Sequence, residues 1–183
     1  MDNRVNANLE AGRLFLAAVP DADTAARIHR LAGVLKRAHN FRGKLIPTDS
    51  LHVSLFFLGA LHEEGVRRVC EAATETATMP PFDISFDRTV SFRGKSGSYP
   101  FVLFGDDGLK RLKSFRQTFA AAMARSGLRR WAGTSFAPHV TLLYGQHRVE
   151  EHPIEPIGWI VSELVLIHSL RGHARLANWP LCG

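Results

Sequence analysis

Apolar residues along the chain fall into two copies of one plan. Arg13 to Pro20 is apolar apart from its first residue and reads as a strand. Pro20-Asp21-Ala22-Asp23 supplies a turn with capping residues. Ala25, Ile28, Leu31, Ala32, Leu35 and Ala38 then recur at three- and four-residue spacing, one face of an amphipathic helix. Phe41-Arg42-Gly43-Lys44 breaks it, and Leu51 to Leu58 forms a second strand ending at Gly59. Further on, Pro100 to Phe104 is a strand and Gly105 to Gly108 its turn. Leu109, Leu112, Phe115, Phe119 and Ala122 mark a helix face that Gly127 stops. His139 to Tyr144 is a strand closed by Gly145. Leu14 lies as far before His52 as Phe101 lies before His139, so the pattern predicts repeats over about 12–59 and 99–145.

Between the copies, Val66, Val69, Cys70, Ala73 and Ala77 predict a helix closed by Pro80-Pro81. Phe82, Ile84 and Phe86 alternate with polar residues, as a strand requires. Ser91 to Ser98 reads as a flexible basic loop. After the second copy, Glu151 to Gly158 holds Pro153 and Pro156 and reads as a loop. Ile160 to Leu170 is a strong strand, and Arg175 to Leu181 a weaker one. Strands and helices without strict alternation predict an α+β domain. Duplication predicts two lobes related by a pseudo-twofold axis, with antiparallel sheets lining a central cleft and helices outside.

Length and composition narrow the class. A chain of 183 residues predicts one two-lobed domain, 1–183, with a core large enough to need no disulfide or metal. Its two cysteines, Cys70 and Cys182, make no disulfide framework and no zinc pattern, and predict a reducing, cytoplasmic setting. No apolar run is long enough for a membrane span, and Met1-Asp2-Asn3-Arg4 does not begin a signal peptide. The 23 Lys and Arg against 17 Asp and Glu leave a net charge of +6, which favours anionic partners such as nucleotides or RNA. Nothing predicts an obligate protein partner.

His52-Val53-Ser54-Leu55 and His139-Val140-Thr141-Leu142 share one form: histidine, apolar residue, hydroxyl, leucine. On a strand, residues two apart share a face, so each imidazole projects beside its own hydroxyl. If the repeats face each other, one cleft receives two imidazoles and two hydroxyls. Two imidazoles suit phosphodiester cleavage, one taking a proton and the other giving one. The hydroxyls donate to non-bridging phosphate oxygens. Neither tetrapeptide carries a carboxylate, and the arrangement requires no metal or other cofactor. Such a pair predicts a bell-shaped pH profile flanking the ordinary imidazole value of about 6.5. By parity, Phe57 and Tyr144 point away from the histidines and read as packing residues. Arg93 and Lys95, in the Gly/Ser loop, are candidate RNA contacts. His147, His152, His168 and His173 receive no role.

These motifs resemble the two-histidine phosphoesterase superfamily, within it the RNA 2′,3′-cyclic phosphodiesterases once called 2′-5′ RNA ligases. The flanks are similar too: Arg13 to Ala17, Phe57-Leu58-Gly59, Phe136-Ala137-Pro138 and Trp179-Pro180-Leu181. The resemblance implies hydrolysis of a terminal 2′,3′-cyclic phosphate on RNA to a 2′-phosphomonoester. It implies His52 as proton donor, His139 as proton acceptor, and Ser54 and Thr141 as phosphate ligands. Two positions depart from the family pattern. Ser54 stands where threonine is commoner, and Tyr144 stands where many members carry arginine. Arg148 or the 93–95 loop is then expected to supply the missing charge. A small cyclic nucleotide, a 2′-5′ oligonucleotide with minor ligation, and a non-catalytic RNA-binding role are the alternatives.

Overall fold

The computed structural model describes residues 13–133, 135–169 and 172–183. The N-terminal Met1–Arg4, residue 12 at the start of the first repeat, and Leu170 lie outside them.

The first strand, β1 (Leu14–Ala18), is buried along its whole length. Helix α1 (Ala22–Ala38) starts at Asp21, whose carboxylate accepts from the Thr24 amide and hydroxyl, both at 2.8 Å. Those bonds hold the Asp21 carboxyl below its usual range. The motif strand β2 (Val53–Gly59) follows, then α2 (Glu63–Thr76), β3 (Phe82–Ser91) and β4 (Tyr99–Phe104). Helix α3 (Lys110–Arg125) and a single turn α4 (Arg129–Ala132) lead to the second motif strand, β5 (Val140–Gly145). Three strands finish the chain: β6 (His152–Val161), β7 (Glu163–Ser169) and β8 (His173–Pro180).

The strands build two four-stranded antiparallel sheets, ordered β2-β1-β7-β8 and β5-β4-β3-β6. The class is therefore α+β with two lobes, as the pattern predicts. Both motif strands lie at sheet edges, each beside the first strand of its own half. The ladders pair Ala17 with Ser54 and Val102 with Thr141. They also pair Leu16 with Phe56 and Phe101 with Leu143, so Phe101 stands in the ladder position of Leu16 and not of Leu14. The equal spacing seen in the sequence is thus displaced by two residues, an even step that preserves which face each residue occupies.

Two expectations need correction. Residues 151–158 are not a loop: β6 runs through both prolines and pairs with β3. It is the edge strand of its sheet, where a residue without an N–H is tolerated. The apolar run from Ile160 is not one strand, because it is divided at Ser162 between β6 and β7. The expected loop after Ser91 is present as the tip of the β3–β4 hairpin, closed by the Ser98 amide donating to the Lys95 carbonyl, with Gly97 at φ 75°.

The lobes exchange contacts. Phe41, just past α1 of the first half, packs against Phe101 of the second sheet at 5.0 Å. Phe119 of α3 packs against Phe56 of the first sheet at 5.2 Å. The connector before the first motif runs along the edge of β5. Leu45 bridges Leu143, and the Ile46 amide donates to the Leu142 carbonyl at 2.8 Å. A Cβ on Gly43 would meet the Tyr144 carbonyl oxygen at 2.0 Å, so this approach needs glycine. No helix among the described residues is long and apolar enough to cross a membrane.

Candidate active site

The connector along β5 runs on to His52 within a few residues, and this brings the two motifs to one place. His52 immediately precedes β2, and His139 immediately precedes β5. The His52 Nδ1 lies 2.8 Å from the Ser50 carbonyl, and the His139 Nδ1 lies 2.7 Å from the Ala137 carbonyl. A carbonyl oxygen only accepts, so each Nδ1 carries the hydrogen. Nε2 is left in both rings as the nitrogen without the hydrogen, free to accept a proton. In His52 it lies 3.0 Å from the Ser54 hydroxyl. Each ring also rests on a phenylalanine, His52 on Phe15 at 4.8 Å and His139 on Phe92 at 5.0 Å.

Burial pushes the His52 imidazole well below its ordinary value, to about 4. The hydrogen bond to the Ser50 carbonyl opposes this, while the charges of His173 and His139 add to it. His139 is therefore close enough for its charge to act on His52. His173 had no expected role, yet its ring stands edge-on to His52 at 4.9 Å and to Phe15 at 5.3 Å. Its Nδ1 is buried and has no hydrogen-bond partner among the described residues. No local sequence signal marks it, because β8 is remote from both motifs along the chain.

Val53, Leu55, Val140 and Leu142 are buried, as the strand parity requires. The same parity fails for Phe57 and Tyr144. The β1–β2 ladder skips Leu55, and the β4–β5 ladder skips Leu142. These bulges put two consecutive residues on the core side, Leu55 with Phe56 and Leu142 with Leu143. Phe57 and Tyr144 are then returned to the face of the motif hydroxyls, 61% and 51% exposed. They are not packing residues.

The bulge in β2 is held by side chains from the other half. The Arg116 Nε donates to the Leu55 carbonyl at 2.9 Å, and the Trp131 indole donates to the Leu58 carbonyl at 2.8 Å. Neither was foreseen as a site residue. Arg93 is exposed and directly follows Phe92, the residue under His139. Lys95 lies exposed at the hairpin tip. Arg148 is exposed beside Val149, which exchanges hydrogen bonds with Ser91. His147 and His152 stand elsewhere, with His39, Phe41 and Phe101. Among the described residues no group of three or more His, Cys, Asp or Glu is placed to hold a metal ion.

The chain is similar to known proteins over most of its length. A family model for the 2′-5′ RNA ligase superfamily matches residues 20–173. An Archaeoglobus fulgidus protein named RNA 2′,3′-cyclic phosphodiesterase is 30% identical over 131 residues, covering 71% of this chain and 70% of that protein. The structure of Escherichia coli LigT in its apo form superposes with a TM-score of 0.68 at 26% identity, covering 95% of this chain and 99% of that one. LigT complexed with phosphate gives 0.67 at 25% identity, with the same coverage. A Thermus thermophilus structure gives 0.69 at 22% identity, over 93% of this chain and 98% of that one, a likeness of fold alone.

Proposed function

The chain belongs to the 2′-5′ RNA ligase superfamily and is a phosphodiesterase, and from that premise we propose that it hydrolyses a terminal 2′,3′-cyclic phosphate on RNA to a 2′-phosphomonoester by two-histidine catalysis. The observation that carries this reading is the matched pinning of both imidazoles. Each donates its Nδ1 hydrogen to the carbonyl two residues earlier, which leaves two Nε2 atoms for proton transfer.

In this reading water attacks phosphorus while His139 Nε2 takes its proton. The bond from phosphorus to the 3′-oxygen breaks, and His52 gives its Nε2 proton to that oxygen. Ser54 and Thr141 donate to the non-bridging oxygens as charge builds on them. The histidines end with exchanged protonation states, and solvent resets them. His52 is neutral in the empty cleft, because burial disfavours its charged form. An anionic phosphate beside Nε2 favours that charged form, so substrate binding itself arms the donor.

The substrate is an RNA end. A net charge of +6 supports an anionic partner, and exposed Phe57 and Tyr144 support contact with bases on both lobes. Arg93, Lys95 and Arg148 remain candidate phosphate contacts at the hairpin end of the second sheet. The two halves act as repeats within one two-lobed domain, and the free thiols of Cys70 and Cys182 fit a cytoplasmic setting.

The test is turnover of an RNA oligonucleotide ending in 2′,3′-cyclic phosphate, with EDTA present, by the wild type and by His139→Ala. The expected result is a 2′-phosphate product whose rate falls by on the order of 10²–10⁴ in the variant. Absence of product with the wild type, or equal rates for both proteins, would overturn the reading.

A further inference from the structure

Arg116 is the one arginine of α3 that turns inward, onto the apolar face formed by Leu112, Phe115, Phe119, Ala122 and Met123. It is only 7% exposed. Burying a guanidinium is costly unless its hydrogen bonds are met, and the usual site for such a residue is the solvent face of a helix. Here burial lowers its pKa from the ordinary arginine value.

Its contacts explain its retention. The Nε donates to the carbonyl of Leu55, the residue at which β2 leaves its ladder. A bulged residue loses its cross-strand partners, so this carbonyl needs a donor from elsewhere. The guanidinium carbon also lies 4.5 Å from the centre of the Phe56 ring and 4.6 Å from that of Phe136. Cation–π attraction at that range is strongest where water is excluded. Leu55 and Phe56 directly follow Ser54. Phe136 directly precedes Ala137, whose carbonyl receives the His139 Nδ1 hydrogen. One side chain therefore touches the backbone of the first motif and the approach to the second.

We propose that Arg116 is a positioning residue that sets the two histidine–hydroxyl motifs at their working separation. This rests on the functional reading above. Its charge is what does the setting. A neutral side chain of similar length would fill the space, but would leave the Leu55 carbonyl unbonded and would not draw both rings toward one point.

The experiment compares Arg116→Met with Phe115→Leu, a neighbour on the same helix that packs against Phe82 at 5.1 Å. Melting temperature, kcat per folded molecule, and the imidazole C–H resonances of His52 and His139 are measured for each. In Arg116→Met, kcat is expected to fall between about tenfold and a hundredfold, as small misplacements of reacting groups do. Both histidine resonances are expected to shift. In Phe115→Leu, melting drops while kcat and the resonances hold. Should Arg116→Met fail to fold, Arg116→Gln takes its place, a polar side chain that removes the cation, and the same fall in kcat and shift of both resonances are expected. Unchanged kcat and resonances in the Arg116 variant, or an equal loss in Phe115→Leu, would overturn the proposal. The resonances need no turnover, so a wild type inactive on cyclic phosphate would sink the functional reading while this inference was still being measured.

Discussion

Phe57 and Tyr144 hold the same place on the two motif strands, each three residues past the motif hydroxyl and each turned out of the core by a bulge at the intervening leucine. The two rings are thereby presented on the faces that carry Ser54 and Thr141. A large aromatic left open beside the proposed phosphate site offers a surface on which a nucleobase can stack.

Phe57→Ala and Tyr144→Ala should each raise KM for an RNA oligonucleotide about tenfold, the lower part of what one stacked base contributes. kcat should change little, because stacking is made equally in the ground and transition states. A mononucleotide 2′,3′-cyclic phosphate should lose its response to one of the two variants, having one base to stack. Steady-state kinetics on both substrates decides it, and equal KM values across all three proteins would remove the rings from substrate binding.

The low imidazole value of His52 changes the bell expected from the two motifs alone. kcat/KM reports the free enzyme, in which burial, with the charges of His173 and His139, holds His52 at about 4. A donor must be protonated, so the alkaline limb of kcat/KM is displaced to the acid side. kcat reports the complex, in which the phosphate anion raises the same group, so its alkaline limb should lie at higher pH. His173→Phe keeps a ring against His52 but removes a charge, and should move the kcat/KM limb upward. Coincident limbs for kcat and kcat/KM would mean that His52 is not the donor.

The same shift links stability to pH. The folded protein disfavours imidazolium at His52, whereas the unfolded chain accepts a proton near 6.5. Its contribution is therefore fully present above about pH 6.5 and is lost as pH falls toward 4. Over that window the loss amounts to about 3 kcal/mol, at roughly 1.4 kcal/mol per pH unit. His52→Gln should flatten the difference in unfolding free energy between pH 7.5 and 4.5. Urea titrations of both proteins at the two pH values measure it, and parallel losses in both would assign the acid sensitivity elsewhere.

How far the site could be read from sequence depends on which kind of contact sets each part. The histidine–hydroxyl pairs were legible because strand parity over three residues is a local property. The capped start of α1 and the stop at Gly127 were legible for the same reason. Phe57 and Tyr144 were not, since a bulge depends on how a strand meets its partner, and one skipped residue reverses every parity beyond it. The 151–158 strand was hidden by Pro153 and Pro156, which exclude a central strand but not an edge. His173 and Arg116 reach the site through tertiary packing alone. Arg116 interrupts an otherwise apolar helix face, which is a mark visible in the sequence once its buried position is known.

The crossed packing of the two halves also bears on how the chain reaches this state. Phe41 packs into the second lobe and Phe119 into the first, so each half presents an aromatic that its counterpart covers. A nascent first half has its motif and its sheet edge, but β7 and β8 arrive only with the last residues of the chain. Closure of such distant pairings is slow, because the intervening chain must be ordered before the contacts form. A partly synthesised chain therefore lacks half of the first sheet, the one whose edge strand follows His52.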